Sequence, residues 1–319
     1  MAASAIEKLN KGEKPGEQNA QGNKLILVMI CAQLIFGTTA IFTKLAGLPA
    51  SFICMARGGL GFVFLLFLYA VIGVKVDFTA IRKNLVLLLI TGASLAMHWI
   101  LVYESYAYTR VATSSLCFYT APIFVILLGP FVVGERMTIK KLACVLAALF
   151  GLSLVSGFWQ ESGSFINELP GILLSLSGAL LYAIEIFLCK KLKGISSYDV
   201  TIVNMLMVFI VSAINVAFRV DVSAIQFSVS SIVILFILGA MNTATAYVLY
   251  FKAFRGMQAH SVAMLSYISP VTTVFLSALV LRESLDIYDL LGGVLILGAC
   301  FINEAGAGKK EILTCKSIN

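Results

Sequence analysis

The sequence predicts an all-α membrane protein: ten transmembrane helices, arranged as two inverted five-helix repeats. Three observations predict it: composition, the alternation of basic residues between apolar spans, and an internal repeat. Of 319 residues, 60% are hydrophobic and 12% charged, with mean hydropathy +0.98. A typical soluble domain carries about 25% charged residues. This chain has too few charges to cover a water-facing surface, so the bilayer must be its main solvent.

Windows of about 20 mostly apolar residues, enough to cross the hydrocarbon core, lie at 25–45, 50–73, 84–107, 111–133, 138–157, 170–189, 198–218, 229–253, 259–280 and 286–304. The linkers are short. The longest polar break, around Gln160–Glu168, falls at the middle of the chain and separates a first repeat (24–157) from a second (169–304). Residues 1–23 are polar, with Lys, Glu, Gly and Pro and no apolar core, which excludes a cleavable signal peptide and reads as a disordered cytoplasmic tail. Residues 305–319 read as a second cytoplasmic tail. Trp159, Tyr198 and Tyr288, near span ends, fit interfacial belts.

Orientation follows from Lys and Arg. Counting the N-terminal tail as gap zero, the even gaps hold 18 of the 23 basic residues: Lys8, Lys11, Lys14 and Lys24; Lys75, Arg82 and Lys83; Arg136, Lys140 and Lys141; Lys190, Lys191 and Lys193; Lys252 and Arg255; Lys309, Lys310 and Lys316. The odd gaps hold only Lys44, Arg110, Arg219 and Arg282, and Arg57 lies inside the second span. Both termini are therefore expected in the cytoplasm, in a multi-pass protein of the cell (plasma or inner) membrane. This distribution also accounts for the net charge of +7 without invoking nucleic acid.

Residues 111–156 align with 259–304. Tyr119 meets Tyr267, Pro122 meets Pro270 and Glu135 meets Glu283; Leu128, Val132, Ile139, Leu142 and Leu149 meet identical residues. Upstream, in a slightly shifted register, Phe36 faces Tyr182 and Lys44 faces Lys190. Five spans is an odd number, so the second copy must enter the membrane upside down. Inverted repeats of this kind are common in secondary transporters, with the binding site near the midplane between the halves.

The stretch His98-Trp99, Tyr103-Glu104-Ser105-Tyr106, Tyr108-Thr109-Arg110-Val111-Ala112 and Tyr119-Thr120-Ala121-Pro122, followed by Gly134-Glu135-Arg136, resembles the first half of EamA-family proteins of the drug/metabolite transporter superfamily. The second-half counterpart is Ala259-His260-Ser261, Tyr267-Ile268-Ser269-Pro270 and Arg282-Glu283-Ser284, then Gly292-Gly293. Arg57 after Ala50-Ser51 matches the family's arginine in the second span. Arg282 stands where the family usually has glycine. The resemblance covers about 24–304. It implies a ten-helix carrier of small organic solutes, often amino acids or related metabolites, usually moved outward, with a central cavity lined by spans 1, 3, 4, 6, 8 and 9. The open alternatives are an importer or antiporter of nucleotide-, sugar- or phosphate-type metabolites, and a non-transporting membrane enzyme or assembly subunit.

Candidate cavity residues follow from the spans so marked: Phe36, His98, Trp99, Tyr103, Tyr119, Tyr182, Tyr247 and Tyr267 as aromatic wall, suited to a small amphipathic ligand, and Asn242 in a locally polar stretch with Thr243 and Thr245. Pro122 and Pro270 lie about eleven residues into their spans, roughly 16 Å deep. Each removes a helical hydrogen bond, freeing carbonyls that in lipid need a partner or a wet cavity. Arg57, Glu104 and Glu185 are candidates for gating or charge coupling, because membrane-embedded charges are costly and face the bundle interior. Arg57 and Glu104 sit at similar depth and are expected within pairing reach. Glu185 lies toward the cytoplasm, near Lys190 and Lys191, as a carboxylate reaching the interface or binding protons, and His98 can titrate near neutrality. Protons are the candidate coupling ion. Gly58, Gly59, Gly61, Gly292 and Gly293 suit close helix packing.

No Gly-Lys-Thr phosphate loop, zinc-ligand spacing or Ser/His/Asp set is evident, so the chain is read as a non-enzyme without cofactor or metal. The seven cysteines form no CxxC pair and suit small apolar positions. The expected partners are the lipid bilayer and a small-molecule substrate. The expected assembly is a monomer or homodimer.

Overall fold

A computed structural model describes residues 15–73, 75–132, 137–155, 164–257, 262 and 265–316. The motif residues Gly134-Glu135-Arg136 and Ala259-His260-Ser261, and Trp159, lie outside them. The described elements are helices: α1 (Pro15–Ala46), α2 (Ala50–Val71), a short α3 (Phe78–Lys83), α4 (Leu85–Ser105), α5 (Val111–Phe118), α6 (Ala121–Val132), α7 (Ile139–Val155), α8 (Ser164–Cys189), α9 (Ser197–Arg219), α10 (Val229–Gly239), a π-helical turn (Ala240–Thr245), α11 (Ala246–Gly256), α12 (Ile268–Val280) and α13 (Ile287–Lys316), with one 3₁₀ turn, Val222–Ala224.

Seven segments are long and apolar enough to cross a membrane, counting α5–α6 and α10–α11 each as one; Ile268–Val280 and Ile287–Ile302 are shorter apolar helices. Their outer surface is apolar: Phe131 is 87% exposed and Phe218 86%. Large apolar side chains in that number on a surface mark a face that meets something other than water. Two expectations shift. α1 begins at Pro15, inside the segment read as a disordered tail, because Pro is favoured at a first helical position and Glu17, Gln18 and Ala20 are good helix formers. α13 likewise runs to Lys316, through the segment read as the C-terminal tail.

Local chemistry marks the boundaries. Side chains of Asp77, Ser196 and Ser228 accept from backbone N–H groups at the starts of α3, α9 and α10. The α5–α6 break falls at Tyr119–Thr120, immediately before Ala121-Pro122, where proline's missing N–H and ring clash end the first segment. The counterpart break lies at Tyr267, before Pro270.

Packing divides the helices into two bundles. In one, α8 packs on α4, α5 and α6; in the other, α1 packs on α10, α11, the π turn and α12. Two pairs flank them, α2 with α9 and α7 with α13. Glycine permits both: a methyl group on Gly151 would lie 2.7 Å from the Gly292 carbonyl oxygen, and one on Gly58 2.7 Å from the Phe209 amide nitrogen. Tyr198, expected at an interface, is instead buried against Tyr69 at 5.0 Å between ring centroids. Its ring adds to the core under α2.

Candidate functional site

Between the two bundles lies a cavity of about 800 Å³. Its lining runs from Arg57, Tyr103 and Tyr106 to Cys189, Leu192, Ile195 and Ser197. The last three belong to or border the loop carrying Lys190, Lys191 and Lys193. The cavity therefore reaches the lysine-rich end of the molecule.

The lysine-poor end is closed by contacts between the bundles. Lys44, near the end of α1, donates to the Tyr106 carbonyl just beyond α4. Glu283, beyond α12, accepts from the N–H groups of Val111 and Ala112 at 2.8 and 3.1 Å. Its carboxylate thus satisfies two donors at the α5 N-terminus, where the helix dipole favours negative charge. Beside it, Arg110 forms a bidentate pair with Asp289 on α13 (2.6 and 2.9 Å) and donates to the Ser284 carbonyl at 2.7 Å. Arg282 supplies the geometry: the Ser277 carbonyl accepts from both Leu281 and Glu283 N–H, and Arg282 between them has φ +56°. That left-handed conformation is one glycine adopts without penalty, which accounts for glycine at this point of the motif.

Arg57 occupies the inner wall and touches both bundles. It is 4% exposed. Its guanidinium carbon lies 3.9 Å from the Trp99 ring centroid, and it donates to the Tyr103 hydroxyl, both on α4. On its other side it donates to Thr243 Oγ1 at 2.8 Å and to the Asn242 carbonyl at 3.4 Å, both in the π turn. All these partners are neutral. No carboxylate forms an ion pair with Arg57 among the described residues. Glu104, expected within pairing reach, is half-buried and absent from the cavity lining. Neighbouring helical positions diverge by about 100°, so Tyr103 and Glu104 cannot both face inward.

His98 and Glu185 meet in the wall. His98 Nδ1 and Glu185 Oε2 are 3.2 Å apart, joining α4 to α8. The imidazole stacks on Phe118 (5.6 Å, 20°) and meets Tyr182 edge-on (5.4 Å, 66°). Phe36, Tyr119, Pro122, Tyr247 and Tyr267 also line the cavity. Tyr119 donates to Ser269 Oγ at 3.1 Å, a further contact between the bundles.

Two expected cavity residues stand elsewhere. Asn242 is fully buried, and its amide donates to the Ile35 carbonyl, Thr38 Oγ1 and Thr39 Oγ1 at 2.7 to 3.1 Å. It pins α1 to the π turn. Pro270 is buried within the second bundle and outside the lining. Conversely, Gln33, Asn204 and Tyr250 line the cavity without having been singled out. The two amides carried a signal, since each is a polar side chain inside an apolar span.

Helices with lipid-type outer surfaces around a cavity open at one end define a class: multi-pass membrane proteins that can admit a solute between two bundles. The family model described as "EamA-like transporter family" matches residues 23–157 and 169–304, and the chain belongs to that family. It is 22% identical over 288 residues to "Uncharacterized transporter YxxF" of Bacillus subtilis (strain 168), covering 89% of this chain and 90% of that protein. It is 28% identical over 202 residues to a "Probable amino-acid metabolite efflux pump" of Escherichia coli (strain K12), covering 60% of this chain and 67% of the relative. A solved crystal structure shares the fold at TM-score 0.64 and 17% identity, covering 91% of this chain and 99% of that one.

Proposed function

We propose that this protein is a secondary carrier of small carboxylate-bearing amphipathic metabolites, amino acids foremost, working outward or by exchange across the plasma membrane. Its ten spans form two inverted halves that alternate access to one cavity, with the lysine-rich end and both termini in the cytoplasm. The partner exchange supports the inverted arrangement: α8, first span of the second half, packs on α4, α5 and α6, as α1 packs on α10, α11 and α12. The basic-residue bias supports the orientation.

The observation that carries the substrate reading is Arg57. A guanidinium at this depth is held only by neutral groups, and its partners use three of its five N–H donors. A buried charge is costly without a counter-charge, and a substrate carboxylate would supply one bidentately. The side chains of Trp99, Tyr103 and Tyr247 line the cavity and offer apolar surface to a substrate body. The resemblance to an amino-acid metabolite efflux pump points the same way.

The test is counterflow of radiolabelled phenylalanine, leucine and threonine into proteoliposomes holding the full-length protein. At least one should exchange. Arg57→Gln should abolish exchange, and Arg57→Lys should reduce it, because lysine keeps the charge but loses the planar fork. Normal exchange in folded Arg57→Gln would refute the assigned role. No flux of any solute through folded wild-type protein would refute the carrier reading.

A further inference from the structure

The pair His98–Glu185 has a geometry the substrate reading does not use. Its members come from different halves of the sequence yet stand in the same bundle, on α4 and α8. They are 3% and 7% exposed. His98 Nδ1 and Glu185 Oε2 approach to 3.2 Å, and neither atom has an aligned hydrogen-bond partner among the described residues. Each is the other's near polar neighbour, and the rings of Trp99, Phe118 and Tyr182 surround the imidazole.

Charge balance decides what such a pair holds. With neutral imidazole and ionised carboxylate, it carries one negative charge in a low-dielectric wall, an expensive state. One added proton cancels it, whether on Nδ1 or Oε2. A second would leave an imidazolium facing a neutral acid. The pair is thus built to take one proton as a unit rather than two separately. The stacked Phe118 and the edge-on Tyr182 and Trp99 enclose the imidazole, leaving Glu185 as its anionic contact. The other titratable groups facing the pair are Tyr119, Tyr182, Tyr247, Tyr250 and Cys189; Arg57 stands behind Trp99, and Lys190 lies near the mouth over Phe187. None replaces the carboxylate beside Nδ1.

Access completes the case. Ile186, Cys189 and Leu192, within two turns after Glu185, line the cavity as far as the lysine-rich end, whereas the lysine-poor end is closed. Protons reach the pair from one side in this conformation, and the pair travels with its bundle when access alternates. We propose that His98 and Glu185 form a single-proton site through which solute movement is coupled to the proton gradient. This inference rests on the carrier reading for its coupling and on the geometry alone for its proton.

The experiment uses full-length protein in nanodiscs, labelled with ¹⁵N-histidine. The chain has two histidines, and His98→Gln assigns the signals. The ring-nitrogen signals of His98, which report where its proton sits, are expected to move in Glu185→Gln, because the carboxylate 3.2 Å from Nδ1 is gone. Unchanged His98 signals in folded Glu185→Gln overturn the site. In proteoliposomes, an imposed pH gradient should raise initial phenylalanine flux above gradient-free counterflow, and this ratio should fall to one in Glu185→Gln. Wild-type counterflow indifferent to the gradient overturns the coupling while leaving the carrier intact. Absence of counterflow fails the carrier and the coupling together, and the histidine signals still decide the proton site.

Discussion

Glu283 is the clearest handle on the closed end. Glu283→Gln keeps the shape of the side chain and its bond to one N–H. The second oxygen becomes an NH₂ group, which cannot accept from Ala112. One of the two bonds at 2.8 and 3.1 Å is lost, together with the charge at the α5 N-terminus. Bonds to charged groups contribute about 1.5–3 kcal/mol, and a charge at a helix end about 0.3–1 kcal/mol. The site is half-buried, so solvent screening trims the sum to about 2 kcal/mol. Glu283 lies beyond α12 of one bundle and its partners start α5 of the other, so this energy belongs to the conformation closed at the lysine-poor end. Losing 2 kcal/mol should raise the fraction open at that end about thirty-fold. Ser115 lines the cavity one turn into α5. In a cysteine-free background, Ser115→Cys reports opening through its labelling rate with a membrane-impermeant maleimide added at the lysine-poor face. The expected rise is of that order, with melting temperature little changed. An unchanged labelling rate alongside a fall in melting temperature would show that Glu283 only stabilises the fold.

Three further outcomes follow from the packing. Gly292→Ala puts a methyl group 2.5 Å from the Gly151 carbonyl oxygen, so overpacking of α7 on α13 should cost about 1–3 kcal/mol; an unaltered thermal melt in nanodiscs would mean the pair is not tightly held. Arg282→Gly should stabilise by up to about 1 kcal/mol, since the left-handed conformation costs a side-chain residue about 1–2 kcal/mol and glycine returns part of that as entropy; a lower melting temperature would contradict it. Asn242→Leu removes the amide donor that faces the Ile35 carbonyl, Thr38 Oγ1 and Thr39 Oγ1 on α1, at about 1–3 kcal/mol; urea or thermal unfolding of the purified variant measures it.

The sequence made the solvent legible because charge is counted, not folded: too few ionic residues predict a set of long apolar helices. Helix breaks before Pro122 and Pro270 were equally legible, since proline acts within its own turn. Aromatic cavity residues emerged because they lie on the spans that the family resemblance implies as cavity lining. What stayed hidden depends on rotation about a helix axis or on a partner far along the chain. Glu104 is one residue from Tyr103, and only the facing direction of α4 separates a cavity hydroxyl from a half-buried carboxylate. Asn242 promised a polar cavity surface, but the π turn rotates its amide onto α1. Glu185 lies near Lys190 in sequence, whereas its partner is His98, on another helix.

The positions of the charges bear on why the two sites should act together. Arg57 reaches both bundles, so its bonds to Thr243 and to Tyr103 cannot both survive a movement of one bundle against the other. Whatever replaces a lost neutral partner must hold a guanidinium in a dry wall, and a substrate carboxylate does so better than a hydroxyl. In the proposed proton site, Glu185 presents the opposite problem within one bundle, where a proton is the smallest remedy. Arg57 and Glu185 stand in the cavity wall with aromatic rings between them. In the proposed coupling, filling one site alone would leave the other charge uncompensated in the wall. The electrostatic cost of crossing would then be lowest when the states of the two sites are matched, which is the physical content of coupling.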